Sequence, residues 1–204
     1  MSVLFIEADN DSMGVDVASV VAAPITIAGW LYPTDVANEQ YAAGLYDASD
    51  GNSRFSLVLL GGDAGDPLAA ETRVGATERK ATTSTGVTVN TWHHGAAVFA
   101  AADDRRAYID GGSKGTEATS VIPTGIDKTA LGRRGAGPAF RGYSGRIAEV
   151  GIWDVALTDA EVAALARGVS PLRIRSSNLL NYYPLMGTVA SAPDYGGSSN
   201  TLSA

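Results

Sequence analysis

The chain has 204 residues, with 15 Lys and Arg against 22 Asp and Glu, a net charge of −7 and no cysteine. A hydrophobic share of 45% supplies a sizeable core and argues against disorder. The missing cysteines exclude a disulfide framework, thiol nucleophiles and cysteine metal sites, and a globally acidic surface disfavours nucleic-acid binding, since phosphate contacts need positive charge. The 24 glycines follow no fixed period, which excludes a collagen-like repeat and marks many tight turns.

The chain opens Met1-Ser2-Val3-Leu4-Phe5-Ile6-Glu7, with no basic stretch ahead of a short apolar run. No export signal is read there, and synthesis in the cytoplasm is the expectation. Residues 17–34 carry no charge, but Pro24 and Gly29 interrupt them, so 25–32 reads as a buried strand and not a membrane span. Branched and aromatic residues between Gly, Asp, Asn and Ser clusters predict strands at 3–7, 25–32, 41–46, 55–60, 71–76, 92–99, 105–110 and 146–153. Many short strands without alternating helices predict an all-β antiparallel sandwich, read as one domain over 1–204.

One helix is expected, near 159–167. Thr158-Asp159-Ala160-Glu161 has capping-box spacing, and Leu157 and Val162 sit where a hydrophobic staple closes the first turn. Gly168 follows as the residue past the helix end, with Pro171 beyond. Two to three turns are unstable alone, so the helix must pack on the sandwich through Val162 and Leu165.

Three segments carry a family likeness. Ile25-Thr26-Ile27-Ala28-Gly29-Trp30-Leu31-Tyr32-Pro33 resembles the early strand of laminin G-like jelly-roll domains. Trp92-His93-His94-Gly95-Ala96-Ala97-Val98 and Ala107-Tyr108-Ile109-Asp110-Gly111 are similar to that family's tryptophan–histidine strand and its tyrosine–aspartate–glycine hairpin. The stretch from Phe140 to Trp153, with Ala156-Leu157-Thr158, resembles its closing strand. The likeness implies the concanavalin A-like two-sheet jelly-roll. Asn181-Tyr182-Tyr183-Pro184-Leu185 and Asp194-Tyr195-Gly196-Gly197 resemble the segment that often opens such domains, here placed last as if permuted. The implied consequence is that residues 178–204 complete the sandwich.

A glucanase branch of the superfamily cleaves β-glucans with carboxylates spaced Glu-x-Asp-x-x-Glu, which alternation places on one face of a strand. Glu7-Ala8-Asp9 comes nearest, but Ser12 stands at the third position, and Glu149 has no second carboxylate two residues on. The expectation is therefore no enzyme, with β-glucan hydrolysis ranked third among functions. Asp9-Asn10-Asp11-Ser12-Met13-Gly14 begins like a calcium loop, but Met13 and Val20 displace essential ligands of an EF-hand. The family likeness implies a calcium site at the sandwich rim, for which Asp9, Asp11, Asp47 and Asp50 are candidates. The alternative is that these aspartates cap their own turns.

His93 and His94 are adjacent in a strand, face opposite sides and cannot chelate one ion together. Trp30, Trp92 and Trp153 lie in apolar strands and are expected in the core. Tyr46, Tyr143 and Tyr195, near turns, are the expected sugar-stacking residues. Arg133, Arg134, Arg141 and Arg146 form a lysine-free cluster suited to acidic glycans or a protein surface. Tyr46, Arg133, Arg134, Arg141 and Tyr143 are thus the candidate ligand-binding set. Two functions follow: a non-catalytic laminin G-like binding or adhesion module for a glycan or protein surface, or a bacteriophage virion protein of decoration or tail-accessory type. Capsid or tail proteins and a homo-oligomer are the corresponding partners, and the virion surface the corresponding location.

Overall fold

Alternation along β3 (Ile25–Pro33) sets the plan of the molecule. Ile25, Ile27 and Leu31 enter the main core, while Ala28 packs on the opposite side with the residues around the helix. The computed structural model describes residues 2–6, 11–49, 51–134, 141–186 and 191–204. The other strands are β1 (Val3–Phe5), β2 (Met13–Val15), β4 (Glu39–Tyr46), β5 (Ser53–Leu60), β6 (Pro67–Val74), β7 (Thr77–Gly86), β8 (His93–Ala101) and β9 (Asp104–Ile109). They continue with β10 (Gly112–Glu117), β11 (Lys128–Leu131), β12 (Gly145–Trp153), β13 (Leu179–Tyr183), β14 (Ser191–Ala192) and β15 (Leu202–Ser203).

Two antiparallel sheets result. The first runs β1-β12-β3-β8-β9-β10, and β13 also pairs with β12. The second runs β14-β15-β2-β11-β4-β5-β6-β7. This is the two-sheet concanavalin A-like jelly-roll expected from the sequence. Between the sheets lie Ile25, Ile27, Leu45, Phe55, Leu57, Phe99, Ile147 and Ile152, with Phe55 and Phe99 edge to face at 5.2 Å. The edge strands β7 and β10 approach closely: a Cβ on Gly115 would stand 1.8 Å from the Thr82 carbonyl oxygen.

The sequence reading missed β7, whose Thr, Glu, Arg and Lys residues lack an apolar stripe. It is an edge strand with one wet face, so pairing with β6 and not hydrophobicity holds it. The predicted strand at 71–76 starts earlier, at Pro67, and stops at Val74, because Gly75 turns with φ +55° into β7.

The helix α1 (Asp159–Ala166) forms where its caps predict. Thr158 Oγ1 accepts from the Glu161 N–H at 3.3 Å, and the Glu161 carboxylate accepts from the Thr158 N–H at 2.9 Å. At the other end the Gly168 N–H donates to Leu165 O and the Val169 N–H to Ala164 O, a Schellman closure that uses the positive φ of Gly168, +87°. Val162 and Leu165 pack on Ala28, Ala96, Val98, Tyr108 and Trp153 of the first sheet. Thr26 ties down the helix entry, donating to Val155 O and accepting from the Leu157 N–H.

The outer face of the second sheet is closed by a charged network. Arg54, fully buried, pairs with the equally buried Glu71 and donates to Gly51 O and the Tyr41 hydroxyl at 2.8 and 2.9 Å. Lys80 bridges Glu71 and Glu78 at 3.4 and 3.0 Å and also meets Glu39. Burial pushes the Glu71 carboxyl above its usual range although Arg54 opposes the shift, and burial raises the Tyr41 phenol as well. Glu71→Ala removes the buried partner of Arg54 and leaves it the half-buried Glu78, at 3.2 Å, as its remaining carboxylate. The loss is expected to cost about 3 kcal/mol, read as a lower urea midpoint.

Candidate functional site

The helix is short, and it covers only part of the first sheet's outer face. Outward positions on β3 run Thr26, Ala28, Trp30 and Tyr32, and α1 reaches Ala28. Trp30 pairs across with His94 and Ala148, and Tyr32 with Arg146. Trp30 and Tyr32 are half-buried, and Trp92, at the entry to β8, is 38% exposed. The rings interlock in two pairs: Tyr32 with Trp92, and Trp30 edge-on to His94, each at 5.4 Å between centroids.

This is a correction to the sequence reading. Of the three tryptophans only Trp153 is fully buried; it donates from Nε1 to Ile174 O at 2.8 Å. Trp30 and Trp92 line an open groove of about 540 Å³ with Ser2, Ala148 and Glu149. A second cavity of about 250 Å³ adjoins it, sharing Trp30 and Glu149 and adding His94, Leu165, Gly168, Val169, Ser170 and Pro171.

Glu149 sits at a bulge of β12, where the register against β3 shifts between Ala148 and Gly151 and its own φ is +55°. The bulge lets Glu149 leave the ladder, and the Tyr182 hydroxyl donates to its carboxylate. Burial and that carboxylate both push the Tyr182 phenol above its usual range.

The two histidines face opposite ways, as alternation requires. His93 Nε2 accepts from the Thr88 N–H at 2.9 Å, so its proton is on Nδ1, which donates to Asp110 Oδ2 at 2.8 Å. Asp110 also takes the His94 N–H at 2.9 Å. His94 itself is 2% exposed, and its Nδ1 has no partner among the described residues. Burial pushes the His94 imidazole down to about 4, against the opposing pull of Asp110.

The predicted ligand-binding set does not form one site. Tyr46 and Tyr143 are both fully buried, which removes them as sugar-stacking residues. Tyr46 joins Tyr41, Val58 and Ala130 on the second sheet, because that sheet is covered on both faces. Tyr143 is drawn into the main core when its N–H donates to Gly132 O. Tyr195 is exposed, against Tyr182. Arg133 lines a cavity of about 340 Å³ with Lys128 and Asp16. Arg141 pairs with Glu39 at 3.2 Å and lines a different cavity with Lys80. Arg134 donates its N–H to Arg141 O.

For the calcium expectation, Asp9 and Asp50 lie outside the described residues. Asp47 Oδ1 accepts from the Ser49 N–H and hydroxyl, and Asp11 Oδ2 from the Ile6 N–H, the turn-capping alternative in both cases. Among the described residues no group of three or more carboxylates and histidines is arranged to hold a metal ion.

A laminin G-type family model, described as the concanavalin A-like lectin/glucanases superfamily, matches residues 8–163. The chain belongs to this superfamily. No curated protein matches it. Among solved structures, the heptameric SAP-like pentraxin of Limulus polyphemus is 16% identical with a TM-score of 0.62, over 78% of this chain and 77% of that one. Domain 4 of the extracellular arabinanase AbnA of Geobacillus stearothermophilus, solved with arabinotriose, is 23% identical with a TM-score of 0.56, over 72% and 68%. The tailspike protein 2 of bacteriophage CBA120 is 15% identical with a TM-score of 0.64, over 89% of this chain and 29% of that one. At these identities the likeness shows a shared fold. The aromatic groove is what this lectin/glucanase-superfamily chain builds on it.

The neutral, buried His94 has a consequence for stability. Its unfolded value is near 6.5 and its folded value about 4, so the unfolded chain takes up the proton first. Stability attributable to this residue is complete above pH 6.5, falls as pH drops toward 4 and levels off below, by roughly 3 kcal/mol in all. Urea midpoints measured from pH 7.5 to 4 are expected to fall more steeply for the wild type than for His94→Gln; parallel curves would contradict the assignment.

Proposed function

We propose that the chain is a non-catalytic carbohydrate-binding module and that the Trp30–Tyr32–Trp92 surface is its sugar-facing platform. The observation that carries the reading is the exposure of paired aromatic rings on a sheet face beside a cleft to which His94, Glu149 and Ser170 bring polar groups. Aromatic faces bind the apolar faces of sugar rings, and hydroxyl-seeking groups at their edge orient the ligand. Glu149 supplies such a group. The fold shared with an arabinanase domain solved with arabinotriose supports a carbohydrate ligand.

Binding is favoured over hydrolysis by the composition of the groove. Retaining and inverting glycosidases need two carboxylates flanking the bond. Glu149 is the one carboxylate among the described residues lining the two adjoining cavities. The virion-structural role is the alternative, supported by the fold shared with a phage tailspike over most of this chain.

Glycan-array binding by the purified chain checks the proposal. Trp92→Ala is expected to weaken binding about tenfold while leaving the melting temperature within a few degrees, since the ring is partly solvated. A blank array, or binding indifferent to Trp92→Ala and Trp30→Ala, overturns it. Co-purification with capsid or tail particles would then favour the virion role.

A further inference from the structure

The outer-face groove has an end. On β3 the outward residue after Trp30 is Ala28, and on β8 the outward residue after His94 is Ala96. Both alanines lie under α1, packed with Val162 and Leu165. A ligand lying along Trp92 and Trp30 therefore meets the helix one outward position further on. The chain that leaves the helix through the Schellman turn supplies Gly168, Val169, Ser170 and Pro171 as the far wall of the 250 Å³ cavity, while Trp30, His94 and Glu149 supply the near one.

His94 contributes to this wall, and its buried Nδ1 has no partner among the described residues, which costs about 1–3 kcal/mol. A ligand hydroxyl, donor and acceptor at once, satisfies either tautomer when the ring turns to present that nitrogen to the cavity. Glu149 accepts from Tyr182 through one oxygen, and a carboxylate has lone pairs for further donors. Its negative charge repels a carboxylate or sulfate on the incoming residue, and Arg146, which could offset it, lies beside Tyr32 at the open side.

Resting on the glycan reading above, we propose that this cavity is a chain-end pocket, which admits the uncharged, hydroxyl-bearing terminal residue of a glycan and reads it through His94 and Glu149. The aromatic platform then holds the residues that follow. The module distinguishes an exposed chain end from the interior of the same chain, because an added residue has no room beneath α1.

The test uses matched neutral oligosaccharides, each printed once with a free terminal residue and once with that residue extended by one sugar or capped by sulfate. Wild type, Trp92→Ala, Val169→Phe and His94→Gln are compared, with a thermal melt of each. Uncapped ligands are expected to bind at least tenfold more tightly than capped ones, and Val169→Phe, which fills the cavity, abolishes that preference. In parallel, the His94 imidazole nitrogens are followed by 15N NMR while uncharged methyl pentosides and hexosides are titrated to millimolar concentration. Their resonances are expected to move in the wild type and not in Val169→Phe.

Equal binding of capped and uncapped ligands, with Trp92→Ala still disruptive, overturns the pocket and leaves the platform standing. Binding that ignores Trp92→Ala, or a blank array, overturns the platform. The methyl-glycoside titration then decides the pocket by itself: no His94 shift removes it. Should Val169→Phe fail to fold, His94→Gln decides in its place: loss of the capping preference supports the pocket, and an unchanged preference overturns it.

Discussion

Every strand in a two-sheet sandwich has two faces, and burying the inner ones leaves the outer ones to be covered by something else. In the second sheet β5 is buried along its whole length, and the outer face is sealed by the Arg54–Glu71 pair and the tyrosines around it. In the first sheet the described outer cover is α1, an eight-residue helix, and the segment that follows it. That shortage of cover leaves rings as large as Trp30, Tyr32 and Trp92 in contact with solvent. A longer helix would turn them into core. Exposed aromatic surface of this kind is hydrophobically unfavourable in a free molecule, and its retention on a stable sandwich is what makes it informative.

The placement of α1 is over-determined, which matters because its far end builds a wall of the cleft. The Thr158–Glu161 box satisfies its first amide groups, and Thr26 anchors the entry to β3. Asp159 reaches down to the Tyr108 hydroxyl at 2.7 Å and to Lys114 at 3.0 Å, and those bonds hold its carboxyl below the ordinary range. Trp153 holds the returning chain through Ile174. Each bond is modest, but together they fix the helix as a rigid body against the sheet. The turn at Gly168 then delivers Val169 and Ser170 to the same place in every molecule, which a mobile loop would not.

Much of the fold was legible. The jelly-roll followed from short apolar strands between turn residues, and the helix from its caps. The site was less so, and the tryptophans show why. Ile25, Ile27 and Leu31 point inward, so Trp30 and Tyr32 had to point outward; period-two counting alone contained that answer. It was overridden by the habit of assigning tryptophan to the core, a rule that holds for Trp153 because α1 covers it. Tyr46 and Tyr143 failed in the opposite sense. Proximity to a turn suggested exposure, but Tyr46 lies on a sheet covered on both sides, and Tyr143 is swung inward by a backbone bond to Gly132. Neither covering is local in sequence. The bulge at Glu149 left no mark either, since a non-glycine residue with φ of +55° is set by pairing on both sides of β12 and not by its own preference.

The charges described in the cleft suit the holding role proposed for it. Glycosidic cleavage asks one group to give a proton to the leaving oxygen while another attacks or activates water. His94, pushed down to about 4, carries no spare proton at neutral pH, and Glu149 receives the hydroxyl of Tyr182, with no second carboxylate among the described residues that line the same cavities. What these groups offer is a neutral imidazole edge and a carboxylate edge beside an indole, all fixed by the sheet beneath them. On the proposed reading such a set pairs with ligand hydroxyls in their ground state, and the burial that makes His94 costly in acid is also what would make it selective at neutral pH.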